Sequence, residues 1–189
     1  MPYTIETIAE RISARRVGDT PATIDWLLTD SRSLSFPEET LFFALTTKRN
    51  DGARYIPDLY SRGVRNFVVS KEAYKWVESG QLAMSNSDML AVNFLVVANP
   101  LKALQKLAEQ HREQFQIPVI GITGSNGKTI VKEWLHQLLS PERAIVRSPR
   151  SYNSQIGVPL SVWQMNGQSE LAIFEAGISE MGEMRALQN

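Results

Sequence analysis

With 189 residues the chain can form one large or two modest domains, and a chain of that size buries roughly 70% of its unfolded surface, so it needs no covalent staples. Lys plus Arg is 20 and Asp plus Glu is 20, balanced in each half, which argues against a general polyanion or nucleic-acid binder. There is no cysteine and there are two histidines, His111 and His136, so disulfides, thiolate nucleophiles and sulfur-bearing zinc sites are excluded and metal chemistry must rest on oxygen.

The longest apolar runs, Leu41 to Leu45 and Phe94 to Ala98, are far short of a membrane span. The opening Met-Pro-Tyr-Thr-Ile-Glu has neither a basic n-region nor an apolar h-region. A cytoplasmic chain with no membrane span is expected.

Ile5, Ile8 and Ile12 form one helical stripe, and Ile24 to Leu28 reads as a strand closed by Thr29-Asp30-Ser31. Leu41 to Leu45 is a second strand, followed by a polar loop from Thr46 to Gly52. A helix through Tyr55, Leu59 and Tyr60 is ended by Gly63. Val64 to Ser70 is the next strand, Glu72 to Glu78 a helix stopping at Gly80, Ser85 to Asp88 a loop, and Asn93 to Ala98 a buried strand. Asn99-Pro100 pairs a capping residue with proline at the first helical position and predicts a long helix to about Gln114.

After Ile117-Pro118 the texture is regular α/β. The pattern predicts strand Val119 to Thr123, helix Lys128 to Leu139, strand Ala144 to Arg147, helix Val158 to Gln164 and strand Leu171 to Glu175. A domain boundary is expected near residue 115. The second part holds too few strands for a fully covered parallel sheet and ends in the helix-like run Glu183 to Asn189, so the chain is expected to be the front of a longer protein.

The strongest chemical signal is Val119 to Thr129, a buried strand running through Gly124-Ser125-Asn126-Gly127 into a helix that starts with Lys128 and Thr129. Such a turn lets backbone N–H groups face an anion, while the lysine reaches terminal phosphates and the hydroxyl ligates Mg²⁺. The strict spacing G-x-x-x-x-G-K-[ST] needs a glycine where Ile122 stands. The competing reading is an ordinary Gly/Asn turn, which leaves Gly-Lys-Thr at the helix start unexplained.

Glu175 ends an apolar strand whose carboxyl end should face the same crevice, suiting it to hold magnesium; otherwise it is a solvated strand-end carboxylate. Ser151 to Pro159 is a polar loop leading into a helix. Ser31 and Arg32 after one strand, and Thr46, Thr47, Lys48 and Arg49 after the next, could form a cup for a nucleotide diphosphate or be two hydrophilic turns. Trp26, Trp76, Trp134 and Trp163 read as core, and both histidines as solvated or satisfied helix residues.

In order along the chain, these segments resemble the Mur ligases, ATP-dependent amide ligases of peptidoglycan synthesis. The family's phosphate loop, Thr-Gly-[Ser/Thr]-x-Gly-Lys-Thr, is met by Thr123 to Thr129. Asp30-Ser31-Arg32, Leu41 to Leu45, Asn50-Asp51-Gly52 and Gly63 to Val69 are similar to the uridine-nucleotide domain. Asn153-x-x-Ile156-Gly157-Val158-Pro159, Glu175-x-Gly177 and Gly182-Glu183 are similar to the central ATPase domain. Two departures stand out: Ala53 where members often have a histidine, and no Lys-Gly near Thr46-Thr47.

The resemblance implies an α/β chain with an N-terminal UDP-binding domain, 1–114, followed by the start of a P-loop parallel-sheet ATPase domain, 115–189. The likeness is greatest to members that add D-alanyl-D-alanine to UDP-N-acetylmuramoyl-tripeptide through an acyl phosphate, acting as monomers. The 189 residues by themselves are expected not to ligate; a member adding the third amino acid, a P-loop kinase or hydrolase, and a non-catalytic nucleotide-binding fragment are the alternatives. The implied cofactors are ATP and Mg²⁺, with Lys128 on the phosphates, Gly124, Ser125, Asn126 and Gly127 as cradle, Thr129 and Glu175 on the metal, and Asn153 near the acyl phosphate. Ser31, Arg32, Thr46 and Thr47 are implied at the UDP end. The front segment also looks like the ligase half of a fused ligase and alanine racemase, which would add pyridoxal phosphate beyond Asn189. The family's downstream catalytic histidine, modified lysine, adenine contacts and C-terminal domain would lie there too.

Overall fold

The computed structural model describes residues 2–47, 51–82 and 91–177. Lys48, Arg49, Asn50, the stretch Ser85 to Asp88, Gly182-Glu183 and the terminal run to Asn189 lie outside them. The chain divides into two compact units, Met1–Leu104 and Gln105–Asn189. The division falls inside the long helix rather than after it.

In the first unit, β1 (Tyr3–Thr4) pairs antiparallel with β3 (Thr23–Ile24). Helix α1 (Ile5–Arg11) starts where the Thr4 hydroxyl accepts the Thr7 N–H at 3.2 Å, and it buries Ile5 and Ile8 completely. The main sheet has five strands in the order β2 (Arg15–Val17), β7 (Asn93–Val97), β6 (Asn66–Ser70), β5 (Thr40–Phe43), β4 (Trp26–Leu28). All pairings are parallel except that of β2 with β7.

Every residue of β5 and β7 is buried, which is why both read as continuous apolar runs. The core is aromatic: the Phe67 ring lies edge-on to Phe42 at 6.3 Å and stacks on Phe94 at 5.7 Å, and Tyr74 meets Phe94 at 5.7 Å. Helices α2 (Ile56–Ser61) and α3 (Lys71–Glu78) contribute Leu59, Tyr74 and Val77 to this core. The Ser70 hydroxyl caps α3 by accepting the Ala73 N–H at 3.1 Å, and Asn99 Oδ1 accepts the Lys102 N–H at 3.1 Å to open α4 (Pro100–Arg112).

The expected single strand Ile24 to Leu28 is two strands in two sheets. Asp25 and Trp26 both donate their N–H to the Glu39 carbonyl, at 3.0 and 3.2 Å, and the chain passes from one sheet to the other there. The tryptophan expectation holds only for Trp163: Trp26 is 46% exposed, Trp76 37% and Trp134 68%. Trp26 stacks on the equally exposed Phe36 at 5.1 Å, and Trp134 shares an outward helix face with Ile130 and Leu138.

In the second unit, three parallel strands run in the order β8 (Val119–Ile122), β10 (Leu171–Glu175), β9 (Ile145–Arg147). Helices α5 (Lys128–Leu139) and α6 (Gly157–Val162) connect them. The central strand β10 is buried along its whole length. Phe115, Met165, Ala172 and Phe174 form the core. His111 is a satisfied histidine: fully buried, it meets the Met165 carbonyl at 3.0 Å and packs its ring on Trp163 and Phe115. Among the described residues no helix is long and apolar enough to cross a membrane.

Candidate functional site

The second unit builds its site at the carboxyl ends of β8 and β10. Parallel pairing sets Glu175 opposite Ile122, and the Ala176 N–H continues the ladder to the Ile122 carbonyl at 2.9 Å. The loop after β8 and the last residue of β10 therefore leave the sheet side by side, at the edge where open α/β sheets bind ligands.

The loop turns on two glycines in left-handed backbone, Gly124 at φ 139° and Gly127 at φ 79°. Gly127 is the N-cap of α5 and supplies no side chain to satisfy the first helical N–H groups. Those donors, with the positive end of the helix dipole, are free to meet an anion. Lys128 lies over the loop and donates to the Gly124 carbonyl at 2.6 Å, a contact a phosphate oxygen could replace. Ser125 and Asn126 are exposed on the same turn.

The Thr129 hydroxyl donates to Glu175 Oε2 at 3.1 Å. Glu175 is fully buried, and its backbone N–H is held by the Ser148 hydroxyl at 3.1 Å. Its other oxygen, Oε1, is 2.9 Å from the Lys132 ammonium, yet the approach is too oblique for a hydrogen bond and Oε1 receives none. With Oε1 turned to Lys132, the buried carboxylate presents Oε2 beside the Thr129 hydroxyl and the glycine loop, a pair of oxygens that fits a cation. Among the described residues no three His, Asp or Glu gather as a metal cage. Magnesium needs none, since it commonly takes one or two protein oxygens and completes its shell with phosphate and water.

Asn153 reaches the same place by another route. Its carbonyl accepts the Gly177 N–H at 2.6 Å, and a Cβ on Gly177 would fall 3.0 Å from both Cγ and Oδ1 of Asn153. The glycine thus lets the chain after Glu175 pass directly against Asn153. Lys128, Thr129, Asn153 and Glu175 are gathered at one edge of the second unit's sheet.

Lys132 has no counterpart in the sequence reading. It follows Lys128 by one helical turn and is completely buried, with its ammonium on Glu175, on the Ser148 carbonyl at 2.8 Å and on the Arg150 carbonyl. The i, i+4 spacing from Lys128 was the available signal. A cavity of about 420 Å³ lies beside β9, lined by His136, Arg147 and Asn166, and includes none of the phosphate-loop residues. Burial, with Arg147 nearby, holds the His136 imidazole below its ordinary pKa.

In the first unit, β4 and β5 are adjacent and parallel, so Ser31-Arg32 and Thr46-Thr47 follow strand ends on one edge of the sheet. Asp30 caps a short 3₁₀ turn, Ser31–Ser33, by accepting the Arg32 N–H at 3.0 Å. The Arg32 guanidinium, 87% exposed, pairs with the same carboxylate at 2.6 Å. Those hydrogen bonds hold the Asp30 carboxyl below its usual pKa and raise that of Arg32. The Ser31 carbonyl accepts from Arg62 at 2.8 Å. Thr46 bridges to Asp51 and lines a cavity of about 270 Å³ with Ser70, Trp76 and Asn99, where Ser31 and Arg32 do not reach.

Residues 122–189 match the model of the Mur ligase middle domain. The UDP-N-acetylmuramoyl-tripeptide–D-alanyl-D-alanine ligase of Borreliella burgdorferi is 38% identical over 79% of this chain and 31% of its own length. The Bacillus subtilis ligase of the same name is 30% identical over 97% of this chain and 38% of its own. A crystal structure of MurF from Acinetobacter baumannii superposes with a TM-score of 0.81 at 25% identity, covering 99% of this chain and 38% of that one. The Thermotoga maritima MurF complex with ADP gives 0.65 at 27% identity, over 85% of this chain and 34% of that one. The chain spans somewhat over a third of the length of most of these relatives, and their names carry no racemase, which leaves the expected racemase fusion and its pyridoxal phosphate without support. Residues 122–189 therefore carry a Mur ligase middle domain, and the curated relatives and superposed structures to which most of the chain is similar are named as D-alanyl-D-alanine-adding Mur ligases.

Proposed function

We propose that this chain supplies the uridine-nucleotide and ATP-binding parts of a cytoplasmic, ATP-dependent ligase that joins D-alanyl-D-alanine to UDP-N-acetylmuramoyl-tripeptide for peptidoglycan. Residues 1–114 take the UDP end of the substrate, through Ser31, Arg32, Thr46 and Thr47, and residues 115–189 begin the ATPase domain. The observation that carries the reading is the hydroxyl of Thr129 on the buried carboxylate of Glu175, directly behind a left-handed glycine loop and Lys128.

In the reaction the tripeptide's terminal carboxylate takes the terminal phosphoryl group of ATP and becomes an acyl phosphate. The amine of D-alanyl-D-alanine then attacks the acyl carbon and releases phosphate. Such transfer asks the protein for placement and charge neutralisation rather than a covalent group, which suits a chain without cysteine. The N–H groups of Gly124 to Gly127 and the start of α5 cradle the phosphates, and Lys128 exchanges the Gly124 carbonyl for a phosphate oxygen. Thr129 and Glu175 would hold Mg²⁺, which when bound neutralises charge on the transferred phosphoryl group. Asn153, held beside Gly177, orients the acyl end.

The test uses a full-length ligase that contains these residues, with ATP, Mg²⁺, UDP-N-acetylmuramoyl-tripeptide and D-alanyl-D-alanine, following ADP. Formation of ADP should require all four, and Lys128→Ala should abolish it. Undiminished turnover by Lys128→Ala would remove the ATP assignment.

A further inference from the structure

Lys132 takes no part in the chemistry above, yet no side chain near the site is more completely enclosed. Its exposure is 0%, so it reaches neither solvent nor substrate. An ammonium is tolerated in such a place only where oxygens close around it. Here they come from three separate pieces of chain: Glu175 Oε1 at the end of β10, at 2.9 Å, the carbonyls of Ser148 and Arg150 after β9, and Glu133 Oε1 on its own helix at 3.2 Å.

Two features argue for more than a structural tie. Arg150 is held at φ 49°, a left-handed backbone that non-glycine residues adopt rarely, and from there its carbonyl meets the ammonium. The Lys132–Glu175 contact also leaves Oε1 without a hydrogen bond, whereas a pair retained for packing alone would be fully satisfied or replaced by apolar side chains.

We propose that Lys132 is a positioning residue for the ligation site. Its ammonium fixes the direction of the Glu175 carboxylate, so that Oε2 stays toward Thr129, and anchors the start of the loop that delivers Asn153. It thereby sets the phosphate-and-metal side of the site against the acyl side. The inference rests on the proposed roles of Glu175 and Asn153.

The experiment compares the intact protein with Lys132→Met, which keeps the length and loses the charge, and Lys132→Gln, which keeps donors for the two carbonyls. Mn²⁺ binding in the presence of ADP is read by electron paramagnetic resonance, alongside kcat, KM for the UDP substrate, and melting temperature. Removing an outer partner of a metal ligand should weaken Mn²⁺ binding by about 10- to 100-fold and lower kcat comparably, with KM for the UDP substrate unchanged. A folded variant whose Mn²⁺ affinity and kcat stay within about twofold of the parent overturns the proposal, even if its melting temperature falls, because only a structural role then remains. Where Lys132→Met does not fold, Lys132→Gln is judged by the same thresholds. If the parent makes no ADP in response to D-alanyl-D-alanine, the ligase reading fails, while the Mn²⁺ measurement still decides the role of Lys132.

Discussion

The hydroxyl of Thr129 donates to Oε2 of Glu175 at 3.1 Å across 46 residues of sequence. Sheet order produces the contact: β10 lies beside β8 in parallel, and Glu175 pairs in register with Ile122, the last strand residue before the glycine loop. Hydrogen bonds to charged groups are worth about 1.5–3 kcal/mol, or roughly 10- to 100-fold. Thr129→Val should therefore weaken metal-dependent ADP binding by about that factor, while Thr129→Ser, which keeps the hydroxyl, retains most of it. Calorimetric titration of ADP with and without Mg²⁺ measures the difference, and equal affinities for the Val and Ser variants would remove the hydroxyl from the metal site.

Gly177 tests how Asn153 is held. Its substitution by Ala would set a Cβ 3.0 Å from the Asn153 side chain and 3.1 Å from its carbonyl, closer than those atoms accept without moving. Overpacking of this kind costs about 1–3 kcal/mol. A lowered melting temperature is expected, together with a fall in kcat larger than any change in KM for ATP. A variant with parental kcat would show that the place of Asn153 does not matter to turnover.

Two of the second unit's elements were legible to the residue because each is continuous and strongly patterned, whereas β8, read as a buried strand, leaves Val119 and Gly121 exposed. Helix α5 runs from Lys128 to Leu139 and β10 from Leu171 to Glu175, at the bounds their apolar spacing predicts. The split of Ile24 to Leu28 was not legible, because the apolar run says nothing of the shared Glu39 carbonyl where the chain changes sheets. The glycine turn before α5 was readable from local sequence, since it is built by backbone between a strand and a helix. Lys132 was hidden for the opposite reason: its partners, Ser148, Arg150 and Glu175, are brought to it only by tertiary packing. The exposed Trp134 misled because a helical stripe tells which face is apolar, not whether anything covers it.

His136 gives a pH dependence of stability. Burial and the nearby Arg147 lower its folded pKa below the ordinary histidine value of about 6.5, so the unfolded chain binds the proton more readily. Its contribution is fully present above about 6.5 and is lost as pH falls from there through the lower folded value. His136→Gln should flatten the melting temperature in that acid window and leave it unchanged near pH 8. A parental slope in the variant would assign the acid loss to other groups.

Arg32 separates binding from stability at the proposed UDP end. Its guanidinium forks onto Asp30, with Nε 2.9 Å from Oδ1 and Nη2 2.6 Å from Oδ2, but the side chain is 87% exposed. Ion pairs so open to water add little to folding, so Arg32→Ala should leave the melting temperature within about a degree or two of the parent. The exposed fork is also what a diphosphate would meet, and the loss of one charged contact of roughly 1.4 kcal/mol corresponds to about tenfold in affinity. Because that contact lies away from the reacting carboxylate, it should be made equally in ground and transition states. Steady-state kinetics of Arg32→Ala are then expected to show KM for the UDP substrate raised about tenfold with kcat unchanged. A fall in kcat at unaltered KM would move Arg32 from the nucleotide end to the reaction itself, and no change in either would leave it a surface partner of Asp30 alone.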